Sequence, residues 1–134
     1  MNSSHYLVET KNLTKIYGTT EKVIALDHVN IEINKGELLS VMGPSGSGKS
    51  TLLNLLGALD RPTEGKAFVA GQDIQALRNL DKFRAQTIGF IFQLHNLIPV
   101  LTAVENVQVP DFSGTDEDGD CVQAVVRVSG AGMR

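Results

Sequence analysis

One cysteine, Cys121, is present in 134 residues, so no disulfide can form within the chain, and a reducing compartment such as the cytosol suits it. Basic residues are not in excess. Twelve Lys and Arg stand against 15 Asp and Glu, a net charge of −3 with a pI near 5.5. That balance argues against a general nucleic-acid binder, which carries a basic face. Long apolar runs are missing: none approaches the roughly 20 residues that span a bilayer. The segment from Met1 to His5 has neither the basic stretch nor the apolar stretch of a secretory signal. Any membrane role is therefore expected to run through a partner, from the water side. Histidine is scarce too, and His5, His28 and His95 have no carboxylate at a fixed spacing, so they read as ordinary residues. No internal repeat or low-complexity segment is visible. What remains is ordinary for a globular domain, with 42% apolar and 20% charged residues.

Hydrophobic spacing lays out the elements. Residues 6–17 mix β-formers with polar residues. Val23 to Ile33 holds apolar residues at Val23, Ala25, Val29, Ile31 and Ile33, and its second half alternates as a half-exposed strand does. Asn34-Lys35-Gly36-Glu37 reads as a turn, and Leu38 to Met42 as a short buried strand bounded by glycine. Leu52, Leu55, Leu56 and Leu59 then fall on one helical face, and Asp60-Arg61-Pro62 ends that helix. A strand is expected at Lys66 to Ala70, a turn at Gly71 to Asp73, a helix at Leu77 to Ala85 and a strand at Ile88 to Phe92. Thr102-Ala103-Val104-Glu105 has capping-box spacing and predicts a helix start. The alternation of strand, loop, helix and strand points to an α/β fold.

Between strand and helix lies Gly43-Pro44-Ser45-Gly46-Ser47-Gly48-Lys49-Ser50, a full G-x-x-x-x-G-K-[ST] motif. A loop that wraps clustered phosphates must turn successive backbone N–H groups inward and let the main chain come close. Glycine permits both. The helix start adds unpaired N–H groups and the positive end of its dipole. Lys49 brings a full charge to the β- and γ-phosphates, and the Ser50 hydroxyl is a hard oxygen ligand suited to Mg²⁺. Thr51 offers a further hydroxyl and N–H near the α-phosphate. A chance match in a chain this long has a probability below about one per cent from average residue usage, and the strand-before, helix-after context is what a phosphate loop requires.

The neighbouring residues resemble one family. Gly43 to Leu53 is similar to the Walker A segment of ABC-transporter ATPases. Leu13-Thr14-Lys15-Ile16-Tyr17-Gly18 resembles the segment before it, Ala25 to Val29 and Lys35-Gly36-Glu37 the antiparallel strands, and Leu59 to Gly65 the loop after the Walker A helix. Ile88 to Gln93 resembles the strand and Q-loop, and Leu101 to Val107 the helix start that follows it. The wording of the helix, the Asp60-Arg61-Pro62 loop and the Phe92 to Pro99 run is most similar to the branch holding the macrolide-export and lipoprotein-releasing ATP-binding subunits.

The resemblance implies an ABC-type P-loop nucleotide-binding domain, with an antiparallel β part at its N-terminal side and an incomplete, mostly parallel core sheet. It implies ATP and Mg²⁺ as cofactors. Tyr17 would stack on adenine, and Gly43, Ser45, Gly46, Ser47, Gly48, Lys49, Ser50 and Thr51 would hold the phosphates. Ser50 and Gln93 would meet the metal, with Lys49 and Gln93 as the catalytic contributors. It further implies a membrane permease partner, a homodimer or pseudo-dimer of ATP-binding subunits, no nucleic acid, and a cytoplasmic position on the inner face of the membrane. No Asn-Lys-x-Asp base reader follows the loop, which leaves the GTPase alternative unsupported.

The family's apolar strand ending in Asp-Glu, its Leu-Ser-Gly-Gly-Gln segment and its switch histidine have no counterpart after Gln93. Val128-Ser129-Gly130-Ala131-Gly132 echoes the signature segment but comes too soon. Phosphate transfer to water needs an acid for Mg²⁺ and a base for the water, so a nucleotide-binding fragment without hydrolysis is the alternative to a working ATPase. Residues 1–110 are expected to form the N-terminal part of the ATP-binding domain, and residues 111–134 a divergent tail. Residues 125–131, read one base later, permit Leu-Tyr-Glu-Phe-Leu-Glu-Leu, a helical pattern, so the tail after about residue 118 is expected to be frameshifted or disordered. A marginally stable, aggregation-prone product is the physical consequence.

Overall fold

A computed structural model describes residues 6–91, 97–108 and 122–123. The chain divides into two compact units, Met1–Leu80 and Asp81–Arg134. The expected domain boundary after residue 110 falls within residues 109–121, outside the described residues.

The first unit is an antiparallel sheet carrying one helix. Its strands are β1 (Val8–Tyr17), β2 (Val23–Val29), β3 (Glu32–Ile33), β4 (Glu64–Val69) and β5 (Gln72–Asp73), in the order β2-β1-β4-β5 with β3 also paired to β1. The helix, α1, spans Lys49–Leu56; it stops at the Gly57 cap, before the end expected at Asp60-Arg61-Pro62, because Ala58 turns to a φ of +53°, so Leu59 lies outside it. β1 is central, and its inward face changes phase midway. Val8 and Thr10 are buried, then Leu13 and Thr14. The break is a bulge at Asn12, whose φ is +49°, and the pairing shifts between Lys11 and Thr14 against β4 and again between Leu13 and Lys15 against β2. An extra residue in one strand flips every later side chain to the other face. Gly65 makes the bulge possible. At φ +78°, a Cβ on it would stand 2.1 Å from the Asn12 carbonyl oxygen. The buried threonines are satisfied by the strands they face. Thr10 Oγ1 donates to Val29 O at 3.0 Å and accepts from Ile31 N at 2.9 Å. Leu13, Leu26, Leu52, Leu55, Ala67, Val69 and Ile74 form the core, where α1 lies on β2 and β4.

Three further expectations for this unit need correction. The half-exposed strand expected in the second half of Val23 to Ile33 is interrupted between β2 and β3, because Asn30 leaves the ladder: its side chain accepts from Asn12 N at 2.9 Å and donates to His28 O at 2.9 Å. The turn expected at Gly71 to Asp73 lies one residue earlier, at Ala70-Gly71, and Gln72 already pairs with Val69. Both turn residues have positive φ, +49° and +74°, the conformation of a two-residue hairpin loop whose twist matches its strands. The third is the buried strand at Leu38 to Met42. No strand includes those residues, and Leu38 and Met42 are 91% and 88% exposed. An apolar run becomes a strand only beside a partner that takes its N–H and C=O groups, and among the described residues none lies alongside.

The second unit holds α2 (Leu80–Thr87), β6 (Ile88–Gly89), α3 (Ala103–Gln108) and β7 (Val122–Gln123). α2 begins three residues later than the spacing suggests. β6 and β7 pair in parallel, Ile88 opposite Val122 and Gly89 opposite Gln123; β6 is shorter than the expected strand, whose last residue, Phe92, is outside the described residues. The capping box is present as expected. Glu105 Oε2 accepts from Thr102 N at 2.8 Å and from Thr102 Oγ1 at 2.7 Å, while Glu105 N donates to Thr102 Oγ1 at 3.3 Å. The Asn106 side chain ties down the turn before α3, accepting from Ile98 N at 2.8 Å and donating to Leu101 O at 3.1 Å.

Candidate phosphate-binding site

Residues 43–48 connect the segment 37–42, which belongs to no strand, to α1. Pro44 O accepts from Ser47 N at 3.3 Å, which folds Pro44 to Ser47 into a turn. Gly46 and Gly48 have φ of +80° and +90°, values that cost other residues steric strain. Gly48 is the N-cap of α1, so no side chain caps the helix, and its carbonyl accepts from Leu52 N at 2.9 Å. Gly48 also lies close against β2. A Cβ there would stand 2.5 Å from the Ala25 carbonyl oxygen. At the other end of the loop, a Cβ on Gly43 would come within 2.7 Å of Ser47 Oγ. Glycine at 48 therefore lets the loop lie on the sheet, where backbone leaves no room for a side chain, whereas the Ser47 hydroxyl beside Gly43 is free to turn aside.

Lys49, the first residue of α1, turns back into this loop. Its Nζ donates to Gly43 O at 2.8 Å, to Pro44 O at 2.6 Å and to Ser47 Oγ at 3.4 Å. All three ammonium hydrogens have acceptors in the loop, and a positive charge stands at the head of the helix. Ser50 is exposed and Thr51 half-buried in the first turn. With Ser45 and Ser47 exposed in the loop, hydroxyls, glycine backbone and one cation surround a single helix start that has no side-chain cap. This donor set fits a polyphosphate.

Tyr17 ends β1 and pairs with Val23 on β2, two residues from the Ala25 carbonyl that Gly48 lies against. Strand spacings put Tyr17 on the order of 10 Å from the loop. The ring is 41% exposed. Its hydroxyl donates to Asp60 Oδ2 at 3.1 Å, and Lys15 Nζ stands 4.9 Å from its centroid. Lys15 and Asp60 pair at 2.8 Å. Burial pushes the Asp60 carboxyl up, but hydrogen bonds from Lys15, the Arg61 amide and Tyr17, with the Lys15 charge, outweigh it and leave Asp60 below its usual range. The sequence carries no signal for this cluster, since Lys15 and Asp60 meet across 45 positions. Gln93 and His95 lie outside the described residues.

A glycine-cornered loop closed by a lysine at a helix start defines a P-loop nucleotide-binding protein of the α/β class. The family model described as ABC transporter matches residues 26–132, and the chain belongs to that family. An ABC transporter ATP-binding protein of Methanocaldococcus jannaschii is 50% identical over 107 residues, which are 78% of this chain and 46% of that protein. A lipoprotein-releasing system ATP-binding protein LolD of Alcanivorax borkumensis is 41% identical, covering 90% of this chain and 54% of its own length. A macrolide export ATP-binding/permease protein MacB of Hyphomonas neptunium is 49% identical over 78% of this chain and 17% of itself. Among solved structures, a dimeric ATP-binding cassette in a post-hydrolysis state bound to ADP and Pi superposes with a TM-score of 0.72 at 51% identity, over 77% of this chain and 46% of that one. The chain thus spans about half the length of the ATP-binding proteins it matches. The family match runs past residue 110 into the stretch whose composition changes.

Proposed function

We propose that this chain binds ATP with Mg²⁺ at residues 43–51, as part of the ATP-binding subunit of an ABC transporter of the lipoprotein-release or macrolide-export type. The observation that carries this reading is the Lys49 ammonium held among Gly43, Pro44 and Ser47 at the start of α1. The amides of Gly46, Ser47, Gly48 and Lys49 and the side chains of Ser45 and Thr51 surround the phosphates, and Lys49 neutralises the β- and γ-phosphates. Ser50 gives Mg²⁺ a hydroxyl ligand, and Gln93 supplies a second oxygen and a contact to water. When bound, Mg²⁺ neutralises charge on the β- and γ-phosphates. Tyr17 provides an aromatic face for adenine, at a distance from the loop that a nucleoside triphosphate bridges. In its full form the subunit dimerises, hydrolyses ATP and drives a membrane permease from the cytoplasmic face. Among the described residues no helix is long and apolar enough to cross a membrane.

Residues 1–134 contain no apolar run ending in Asp-Glu after Gln93, and this favours a second reading for the polypeptide as it stands: binding without turnover. Titration with a fluorescent ATP analogue, beside a phosphate-release assay, tests both. The expected result is saturable binding that Lys49→Ala weakens at least tenfold, with no release above background. Lys49-dependent release would overturn the binding-only reading, and absence of binding would overturn the site.

A further inference from the structure

We propose that Asp60, with Lys15, is a positioning residue that sets the plane of the Tyr17 ring at the base end of the nucleotide site; this rests on the reading of Tyr17 as the adenine platform. A tyrosine at the end of an edge-paired strand is fixed only at its Cα and sweeps through its rotamers. Here the far end of the ring is held as well. Tyr17 donates its hydroxyl hydrogen to Asp60 Oδ2 at 3.1 Å. Asp60 is itself immobilised, since Oδ1 accepts from Arg61 N at 2.7 Å and from Lys15 Nζ at 2.8 Å. Lys15 Nζ also donates to Arg61 O at 2.8 Å, and only 12% of its side chain is exposed. From that fixed position it covers one face of the ring at 4.9 Å, within the range where a cation is attracted to an aromatic face. With one face taken and the hydroxyl tied, a purine has a single face on which to stack.

The loop that carries Asp60 is anchored to β1 independently. Thr63 N donates to Thr14 O at 2.9 Å, and Ile16 N donates to Thr63 Oγ1 at 3.0 Å. Arg61 fastens the same loop from the other side, donating to Gln75 O at 2.8 Å and Leu77 O at 2.7 Å. Because this loop follows α1, whose first turn forms the phosphate end, one helix couples the two ends of the nucleotide site. A preorganised ring needs less ordering on binding, and immobilising one side chain is typically worth about 0.5–1.5 kcal/mol.

The test is calorimetric titration of the 134-residue chain and its variants with Mg²⁺-ATP and, separately, with Mg²⁺-tripolyphosphate, which has no base. Asp60→Ala is expected to weaken ATP by about three- to tenfold and to leave tripolyphosphate unchanged. Tyr17→Phe, which keeps the ring and loses the hydroxyl, is expected to do the same more mildly. Asp60→Asn, nearly isosteric, guards against a folding failure and is expected to fall between wild type and Asp60→Ala. If Tyr17→Ala leaves ATP affinity unchanged, the platform reading fails. If Tyr17→Ala weakens ATP but Asp60→Ala and Asp60→Asn do not, the platform stands and the positioning role is overturned. Equal weakening of both ligands by Asp60→Asn overturns it too, as general damage to the fold.

Discussion

Lys49 was legible from eight residues of sequence because its neighbours in the chain are its neighbours in space. The loop acceptors it reaches, Gly43, Pro44 and Ser47, all belong to the motif. Removing the cation leaves phosphate oxygens facing only neutral donors, and a charge-assisted hydrogen bond is worth about 1.5–3 kcal/mol. Lys49→Ala is therefore expected to weaken Mg²⁺-ATP binding at least tenfold in the same titration, with the far-ultraviolet spectrum unchanged. Tyr17 was only half legible. Its place before the loop suggested a base platform, but its partners Asp60 and Lys15 were hidden, because only the folded sheet brings positions 15, 17 and 60 together. Asp60 also has a pH consequence. Its folded pKa is lowered, so its contribution to stability is present above the ordinary carboxylate range and is lost as pH falls through the lowered value. Melting temperature is expected to drop below about pH 4, and Asp60→Asn is expected to flatten that part of the profile.

Elements were readable where their signals are local. α1 follows in part from its leucine spacing, since it ends at Leu56 and leaves the expected Leu59 outside it, 47% exposed, and α3 follows from Thr102 and Glu105, both within one or two turns. Glu105 is held below its usual pKa by hydrogen bonds from the Thr102 amide and hydroxyl. That cap is intact at neutral pH and is expected to fail below about pH 4, seen as faster amide exchange at Thr102 and Glu105. Strands depend on partners far along the chain, and there the reading failed most. The bulge at Asn12 left no pattern that could be separated from noise, and Leu38 to Met42 has the composition of a strand without a neighbour. Two glycine-related sites test the sheet. Gly65→Ala would drive a methyl into the Asn12 carbonyl, at a backbone angle that already disfavours a side chain. Its expected cost is about 2 kcal/mol or more by urea denaturation. Ala70→Asn runs the other way, since asparagine tolerates the +49° φ of this exposed hairpin corner better than alanine does. A gain of a few tenths to about 1 kcal/mol is expected.

At the scale of the whole molecule, the antiparallel unit has a core and the segment leading into the phosphate loop does not. Leu38 and Met42 are almost fully exposed, and Leu39 is partly so. Each large apolar side chain left in water forgoes about 1.5–3 kcal/mol, against a net stability of roughly 5–15 kcal/mol for a typical domain. The isolated 134-residue chain is expected to melt over a broad range, or to aggregate, well below the transition of full-length ATP-binding subunits. A sharp, reversible calorimetric transition near theirs would contradict this. Lys49 carries one more consequence. Its ammonium already rests on two carbonyl oxygens inside the loop, so an arriving nucleotide enters a contest in place of an empty seat. Every contact it gains with that ammonium is matched by one given up, and the measured affinity reports how far phosphate oxygens outbid the protein's own backbone for the same three hydrogens.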